Sequence, residues 1–173
     1  MNGSYDILIV GVGGQGTILA SNILGEACLL EGKSVRGAET HGMAQRGGSV
    51  ETHIRVGGRY GPLISPGTAD LIISFDLLEA LRYSHFLKEG KTIVTNTDTI
   101  IPTSAFQADA DIPGPEDILR QLSGRDVLTI DAAALAEEAG TILTQNVVML
   151  GASSHHIPLA VESLKEAVRR CVP

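Results

Sequence analysis

Residues 5–30, YDILIVGVGGQGTILASNILGEACLL, decide the fold. The first six, YDILIV, are short, apolar and β-branched and stop at a glycine, which is how a strand buried on both faces reads. From Gly14 to about Leu30 the period becomes helical: Ala20, Ile23, Leu24, Ala27 and Leu30 fall on one face. Gly32 with Lys33 supplies a C-terminal stop, and KSVRGAE (33–39) offers a second strand. Strand, glycine turn, helix and strand open a βαβ unit.

Within that stretch, GVGGQG (11–16) has the G-x-G-x-x-G spacing. In a dinucleotide site Gly11 would permit the tight turn, Gly13 the approach of pyrophosphate, and Gly16 close helix–strand packing. An acid about 20 residues on would take the ribose hydroxyls, and Glu39 is the candidate. The same spacing also serves turns that only shape a helix N-terminus. In either case the free N–H groups and the helix dipole favour an anion there.

Downstream, SVETHIRVG (49–57) alternates, with Val50, Thr52, Ile54 and Val56 on one face and Glu51, His53 and Arg55 on the other. That predicts a half-buried strand with one polar face, in an antiparallel or edge position. ADLIISF (69–75) reads as a buried strand with a helix after it to about Leu87; KTIVTN (91–96) and DVLTIDA (126–132) are further strands. Helices are expected over 116–122, 132–139, 145–152 and 158–170, and an irregular, acidic, proline-rich excursion between 101 and 118. At 173 residues, with domains of about 100–200 residues the rule, the expectation is one domain over 1–173. Its predicted class is a three-layer α/β fold with a mostly parallel, Rossmann-like sheet and an inserted antiparallel element.

Composition excludes several functions. The net charge is −7 and no basic stripe is present, so nucleic acid is not an expected partner. No apolar run reaches the roughly 18 residues of a membrane span, and no basic-then-apolar leader opens the chain, which predicts a cytoplasmic location. Cys28 and Cys171 form no spaced motif, whereas an iron–sulfur cluster takes about four thiolates. SSHH (153–156) reads as a helix–helix connection ahead of Pro158, not as a metal site.

A second stretch, ETHGMAQRGGSVETHIR (39–55), gathers His41, Gln45, Arg46, His53 and Arg55 in one short region. Arg46 precedes Gly47 and Gly48, backbone free to form a concavity for an anion. No nucleophile–base pair and no metal-ligand spacing accompanies them, so the readings are a ligand or partner surface, or a solvated loop and strand face.

Taken in order, GVGGQG, LASNILGEA, HGMAQRGGSVETHIRVG, ADLIISFDLLEALR and NVVMLGA resemble the gamma-type subunit or domain of 2-oxoacid:ferredoxin oxidoreductases. HGMAQRGGSV is similar to the beta subunit of indolepyruvate:ferredoxin oxidoreductases. The resemblance spans nearly the whole chain and is least around 100–125. It implies a subunit of an enzyme that oxidatively decarboxylates a 2-oxoacid with coenzyme A, giving acyl-CoA, carbon dioxide and reduced ferredoxin. Thiamine pyrophosphate with Mg and the 4Fe–4S clusters are expected on large partner subunits, with no metal or cofactor on this chain. It places Gly11, Gly13, Gly14, Gln15, Gly16, His41, Gly42, Gln45, Arg46, Gly47 and Gly48 in motif loops near the active site or subunit interface, and assigns none of them a chemical step. By itself such a chain would self-associate through the face meant for its partner. The competing readings are an independent NAD(P)-dependent oxidoreductase using GVGGQG and Glu39, and a nucleotide- or CoA-binding module without turnover.

Overall fold

The computed structural model describes residues 3–41, 47–58, 61–101 and 112–172, with the backbone alone at His41. Gly42, Gln45 and Arg46, with the rest of the expected 40–48 loop up to Arg46, lie outside the described residues, as does 102–111 of the acidic excursion.

The apolar run opens the sheet as β1 (Tyr5–Val12), and α1 (Thr17–Leu30) follows the glycine turn. The helix stops where Gly32 N–H donates to Leu29 O and Lys33 N–H to Cys28 O, the paired bonds of a Schellman ending. Then come β2 (Val35–His41), β3 (Ser49–Val56), β4 (Ala69–Ser74), α2 (Leu77–Tyr83) and β5 (Leu87–Asn96). The chain finishes with α3 (Pro115–Gln121), β6 (Asp126–Ile130), α4 (Ala132–Glu138), α5 (Gln145–Ser153) and α6 (Val161–Cys171).

One six-stranded sheet runs β2-β3-β1-β4-β5-β6. The neighbours β1, β4, β5 and β6 are parallel, and β3 pairs antiparallel with both β1 and β2. Along the central strands successive residues alternate faces, and both faces are apolar. Ile7, Ile9, Leu71, Ile73 and Val94 meet α1, α5 and α6, while Leu8, Val10, Ile72 and Ile93 meet α2 and α3. That double burial is why YDILIV reads as an unbroken apolar run. The three-layer α/β class is as expected.

Three expectations are corrected. First, β1-α1-β2 does not build adjacent strands: β2 runs in the direction of β1, but β3 lies between them. Second, the polar face of β3 is covered by α2 and the 61–64 segment, which bury His53 and Arg55 and leave Glu51 half-buried. His53 Nδ1 accepts the Ile64 N–H at 3.2 Å, and Phe86 stands edge-on to its ring. Arg55 makes a two-pronged ion pair with Asp6 at 2.8 Å, donates to Gly61 O, and is 8% exposed. Third, α2 ends at Tyr83 and a single 3₁₀ turn (Ser84–Phe86) leads into β5 at Leu87 instead of a helix reaching that residue. Leu87 pairs with Ala69, the register shifts across Lys88–Lys91, and Thr92 pairs with Leu71. The exposed Lys88-Glu89-Gly90 insertion hides the start of the strand from an apolar-run reading.

The Arg55–Asp6 pair is nearly dry, so removing one partner strands a buried charge. Arg55→Ala should lower the unfolding free energy by about 3–5 kcal/mol in urea titration. Combining Asp6→Leu with Arg55→Leu should recover most of that loss; a double variant no better than Arg55→Ala would refute the account.

Candidate functional site

The helix after β1 packs on one face of the sheet and the helix after β4 on the other, so the carboxyl ends of these two neighbours form the crevice where open α/β sheets bind ligands. Here a side chain bridges the floor of the crevice. Gln15 Oε1 accepts the Val12 N–H at 2.7 Å, and its Nε2 donates to Phe75 O at 3.0 Å, tying the end of β1 to the end of β4. A β-carbon on Gly11 would stand 2.8 Å from Gln15 Oε1 and 3.1 Å from both Phe75 Cβ and Thr17 Cγ2. Gly11 therefore makes room for the glutamine amide. Gly16 has φ +83°, and a β-carbon there would come within 2.8 Å of Asn146 Nδ2 at the start of α5. Its achirality serves both the left-handed backbone and that close approach.

Two backbone amides that a diphosphate would use are also occupied. Gly13 N–H donates to Gly48 O at 2.9 Å, and Gln15 N–H to Val12 O at 3.1 Å. The first of these joins the two motif stretches, with Val12 facing Ser49 in register. Glu39 stands on β2, opposite Thr52, which itself faces Ile9. It is thus two strand spacings, roughly 10 Å, from β1 instead of one. It borders an open groove of about 600 Å³ beside Ser21, Asn22 and Thr52, and among the described residues none of 11–16 lines that groove. The acid and the glycines of the dinucleotide reading do not share a cavity.

Of the polar residues expected together between 41 and 55, the described side chains His53 and Arg55 belong to separate structural contacts. Along β3, His53 and Arg55 lie roughly 13 and 20 Å from Ser49 at about 3.3 Å per residue, and both are bound into the fold. What lies beside Gly47 and Gly48 is a group the sequence reading missed. Ser49 Oγ donates to Glu79 Oε2 and sits 3.0 Å from Tyr83 Oη, both on α2. Glu79 is 1% exposed, and the Arg82 guanidinium reaches it at 3.3 Å. Asp76, fully buried, caps α2 through Leu78 N–H and Glu79 N–H and accepts Ile100 N–H at 2.5 Å. Asn96, at the end of β5, donates to Phe75 O and Asp98 and accepts Ala132 N–H. The signal that could have found them is positional: Ser74, Asp76, Asn96 and Asp98 are polar residues at or just beyond the carboxyl ends of apolar strands.

Among the described residues no group of three or more His, Cys, Asp or Glu is placed to hold a metal. Burial pushes the Cys28 thiol up to about 11 and raises the Cys171 thiol, which ends α6. His155 and His156 lie in the 3₁₀ turn joining α5 to α6, as expected of a connection. No helix is long and apolar enough to cross a membrane among the described residues. Around this end of the sheet Ile18, Ile100 and Leu143 are exposed, Leu143 to 82%.

Two measurements check this geometry. Gln15→Ala leaves the Val12 N–H without its acceptor and should cost about 1–3 kcal/mol of stability. Gln15→Glu puts a carboxylate against Phe75 O; its protonated form can donate there, so the variant should regain stability as pH falls. Equal stability of the glutamate variant at pH about 5 and 7.5 would contradict the bridge. Glu79 titrates in the same sense. Burial raises its carboxyl above the ordinary value, against the Ser49 hydrogen bond and Arg82. Its contribution is present below the unfolded value of about 4.3 and is lost as pH rises through the raised one. Glu79→Gln should therefore flatten the decline of stability from mildly acid to neutral pH in urea titrations; an unchanged slope would contradict it.

Comparison with known proteins agrees with the fold. The family model described as pyruvate ferredoxin/flavodoxin oxidoreductase matches residues 6–173. The chain is 43% identical over 169 residues to indolepyruvate oxidoreductase subunit IorB of Archaeoglobus fulgidus, covering 95% of this chain and 84% of that one. It is 44% identical to the subunit of the same name from Pyrococcus horikoshii, covering 98% and 87%. Among solved structures, pyruvate oxidoreductase subunit PORC of Thermotoga maritima shares the fold with a TM-score of 0.71 at 21% identity, over 96% of this chain and 84% of that one. The keto/oxoacid ferredoxin oxidoreductase gamma subunit of Geobacter sulfurreducens gives 0.69 at 24%, over 98% and 87%. With the family match over almost its whole length, this chain belongs to the pyruvate ferredoxin/flavodoxin oxidoreductase family.

Proposed function

We propose that the chain, as one domain over 1–173, is the subunit without cofactors of a CoA-dependent 2-oxoacid:ferredoxin oxidoreductase. The complex it completes oxidatively decarboxylates a 2-oxoacid to acyl-CoA and carbon dioxide, and the electrons leave on ferredoxin. Indolepyruvate is the 2-oxoacid to test first, because the IorB relatives are named for it. Thiamine pyrophosphate, Mg and 4Fe–4S clusters belong to the large partner subunits on this reading, and CoA enters as co-substrate. Ferredoxin is met by the complex.

The observation that carries the reading is the bridged crevice. Gln15 ties the end of β1 to the end of β4, where the pyrophosphate of a dinucleotide would approach, and the hydrogen bond from Gly13 to Gly48 turns the glycine fingerprint into a support for the second motif stretch. A fingerprint spent on structure, beside exposed Ile18, Ile100 and Leu143, suits a docking end and not an independent NAD(P) enzyme. On this reading the loops bearing Gly11, Gly13, Gly14, Gln15, Gly16, His41, Gly42, Gln45, Arg46, Gly47 and Gly48 face the partner subunit or the CoA side of its active site. Arg46 is the natural fork for an anionic group there.

Anaerobic purification through a tag on this chain should bring down a brown complex with thiamine diphosphate and cysteine-rich large chains. That complex should reduce methyl viologen in the presence of indolepyruvate and CoA. Arg46→Ala should lower kcat/KM by on the order of tenfold or more with the subunits still assembled. A colourless lone chain that retains NAD or FAD would sink the proposal.

A further inference from the structure

Among the described residues β2 is an open edge of the sheet. It pairs with β3 on one side, in unbroken register from Val35 against Val56 to His41 against Val50, and with no strand on the other. Alternate residues therefore turn their N–H and C=O groups outward, and neither a bulge nor a proline deters a further strand. The arginine of this strand, Arg36, is drawn back to Gly58 O at 2.8 Å.

The face of the edge that looks toward α1 is notched. Directly opposite residues of an antiparallel pair share a face, so Val35, Gly37 and Glu39 stand beside Val56, Ile54 and Thr52. Gly37 has no side chain, which opens a passage from the edge over β2 to Ile54. A β-carbon at Gly37 would make only an ordinary contact with Ile54 Cδ1, at 3.4 Å. The passage belongs to the groove of about 600 Å³ that Glu39 borders, and Leu29 of α1, 64% exposed, adds apolar surface to it.

The inner end of the passage asks for a hydrogen-bond donor with positive charge. Thr52 is 1% exposed and lines the groove, yet among the described residues its hydroxyl oxygen has no hydrogen-bond partner. Burying such a group unpaired is costly. Glu39, directly opposite Thr52, is exposed. The lining holds a second carboxylate, Glu26, which Arg170 already engages at 2.9 Å, and among the described residues it holds no lysine or arginine. Glu39 and Thr52 thus offer two acceptors side by side at the end of an apolar passage.

We infer that the β2 edge is a docking site for an extended segment of a partner protein that carries an arginine. The segment adds a strand to β2 through main-chain hydrogen bonds, and its side chains on the α1 face give the specificity. The arginine lies opposite Gly37, its stem passes over the glycine against Ile54, and its guanidinium donates to the Glu39 carboxylate and the Thr52 oxygen. Arginine suits the place better than lysine because its fixed fork serves two acceptors at once. An apolar residue two places along the segment shares the arginine's face and meets Val35 and Leu29. A second copy of this chain does not supply these groups. Pairing edge to edge about a two-fold axis keeps each face with its own, and Arg36 stands on the face opposite Glu39, beside Arg55. The inference goes beyond the proposed function and does not rest on it.

The test uses the full chain and a labelled, end-capped peptide, TVTRTVT, which reads the same in both directions and sets valine, arginine and valine on one face. TVTQTVT is its uncharged counterpart. By fluorescence anisotropy the arginine peptide should bind about tenfold or more tightly than the glutamine one, and it should slow hydrogen exchange at the β2 amides. Glu39→Gln and Thr52→Val should each shrink that preference to about twofold or less, leaving the weaker main-chain pairing. Gly37→Val fills the passage with a strand-forming residue, so it should abolish the preference while the thermal midpoint holds or rises. Equal binding of the two peptides, binding of neither, or a preference that survives Gly37→Val overturns the inference. So does a chain that sediments as a dimer which either peptide dissociates, because a second copy then holds the edge.

Discussion

The antiparallel pairing of β3 with β1, which sets Ser49 against Val12 and Val56 against Tyr5, is the constraint on which the rest of the molecule depends. It brings the residues after Arg46 to the carboxyl end of β1, where Gly13 can hold Gly48. It sends Arg55 to the opposite end of the sheet, where Asp6 waits for it. And by occupying the place beside β1, it pushes β2 outward and carries Glu39 away from the glycine turn. One register decides which polar residues become neighbours and which become separate structural pairs.

Much of the fold was legible because its signals are local. An unbroken apolar run marks a strand covered on both faces, and the i, i+3, i+4 repeat of Ala20, Ile23, Leu24 and Ala27 marks α1. Both follow from burial periods that any short window shows. The antiparallel character of β3 was also legible in its alternation. Its position between β1 and β2 was not, since strand order is a long-range property that the βαβ reading supplies only by default. Burial of His53 and Arg55 escaped for a related reason. A charged residue looks solvated until its partner is known, and Asp6 lies 49 residues from Arg55 in the chain.

The site was less legible than the fold. The glycines were visible, but their purpose depended on Gln15, whose two partners are Val12, three residues away, and Phe75, sixty residues away. A spacing pattern reports that backbone must come close to something and does not say whether that is a phosphate or an amide of the same chain. Ser49, Glu79 and Tyr83 were hidden because 30 and 34 residues of chain separate Ser49 from its two partners.

The strand order also bears on how the chain emerges during synthesis. The first forty residues contain β1, α1 and most of β2, yet these two strands have no hydrogen-bonding partner in each other. Both edges of β1 are filled by segments made later, β3 at 49–56 and β4 at 69–74. The glycine turn is locked still later in the same sense, because the carbonyl that receives Gln15 belongs to Phe75. Until β4 has been made, a nascent chain therefore holds β1 without a completed sheet around it, and such unpaired apolar strands are the aggregation-prone state that chaperones counter.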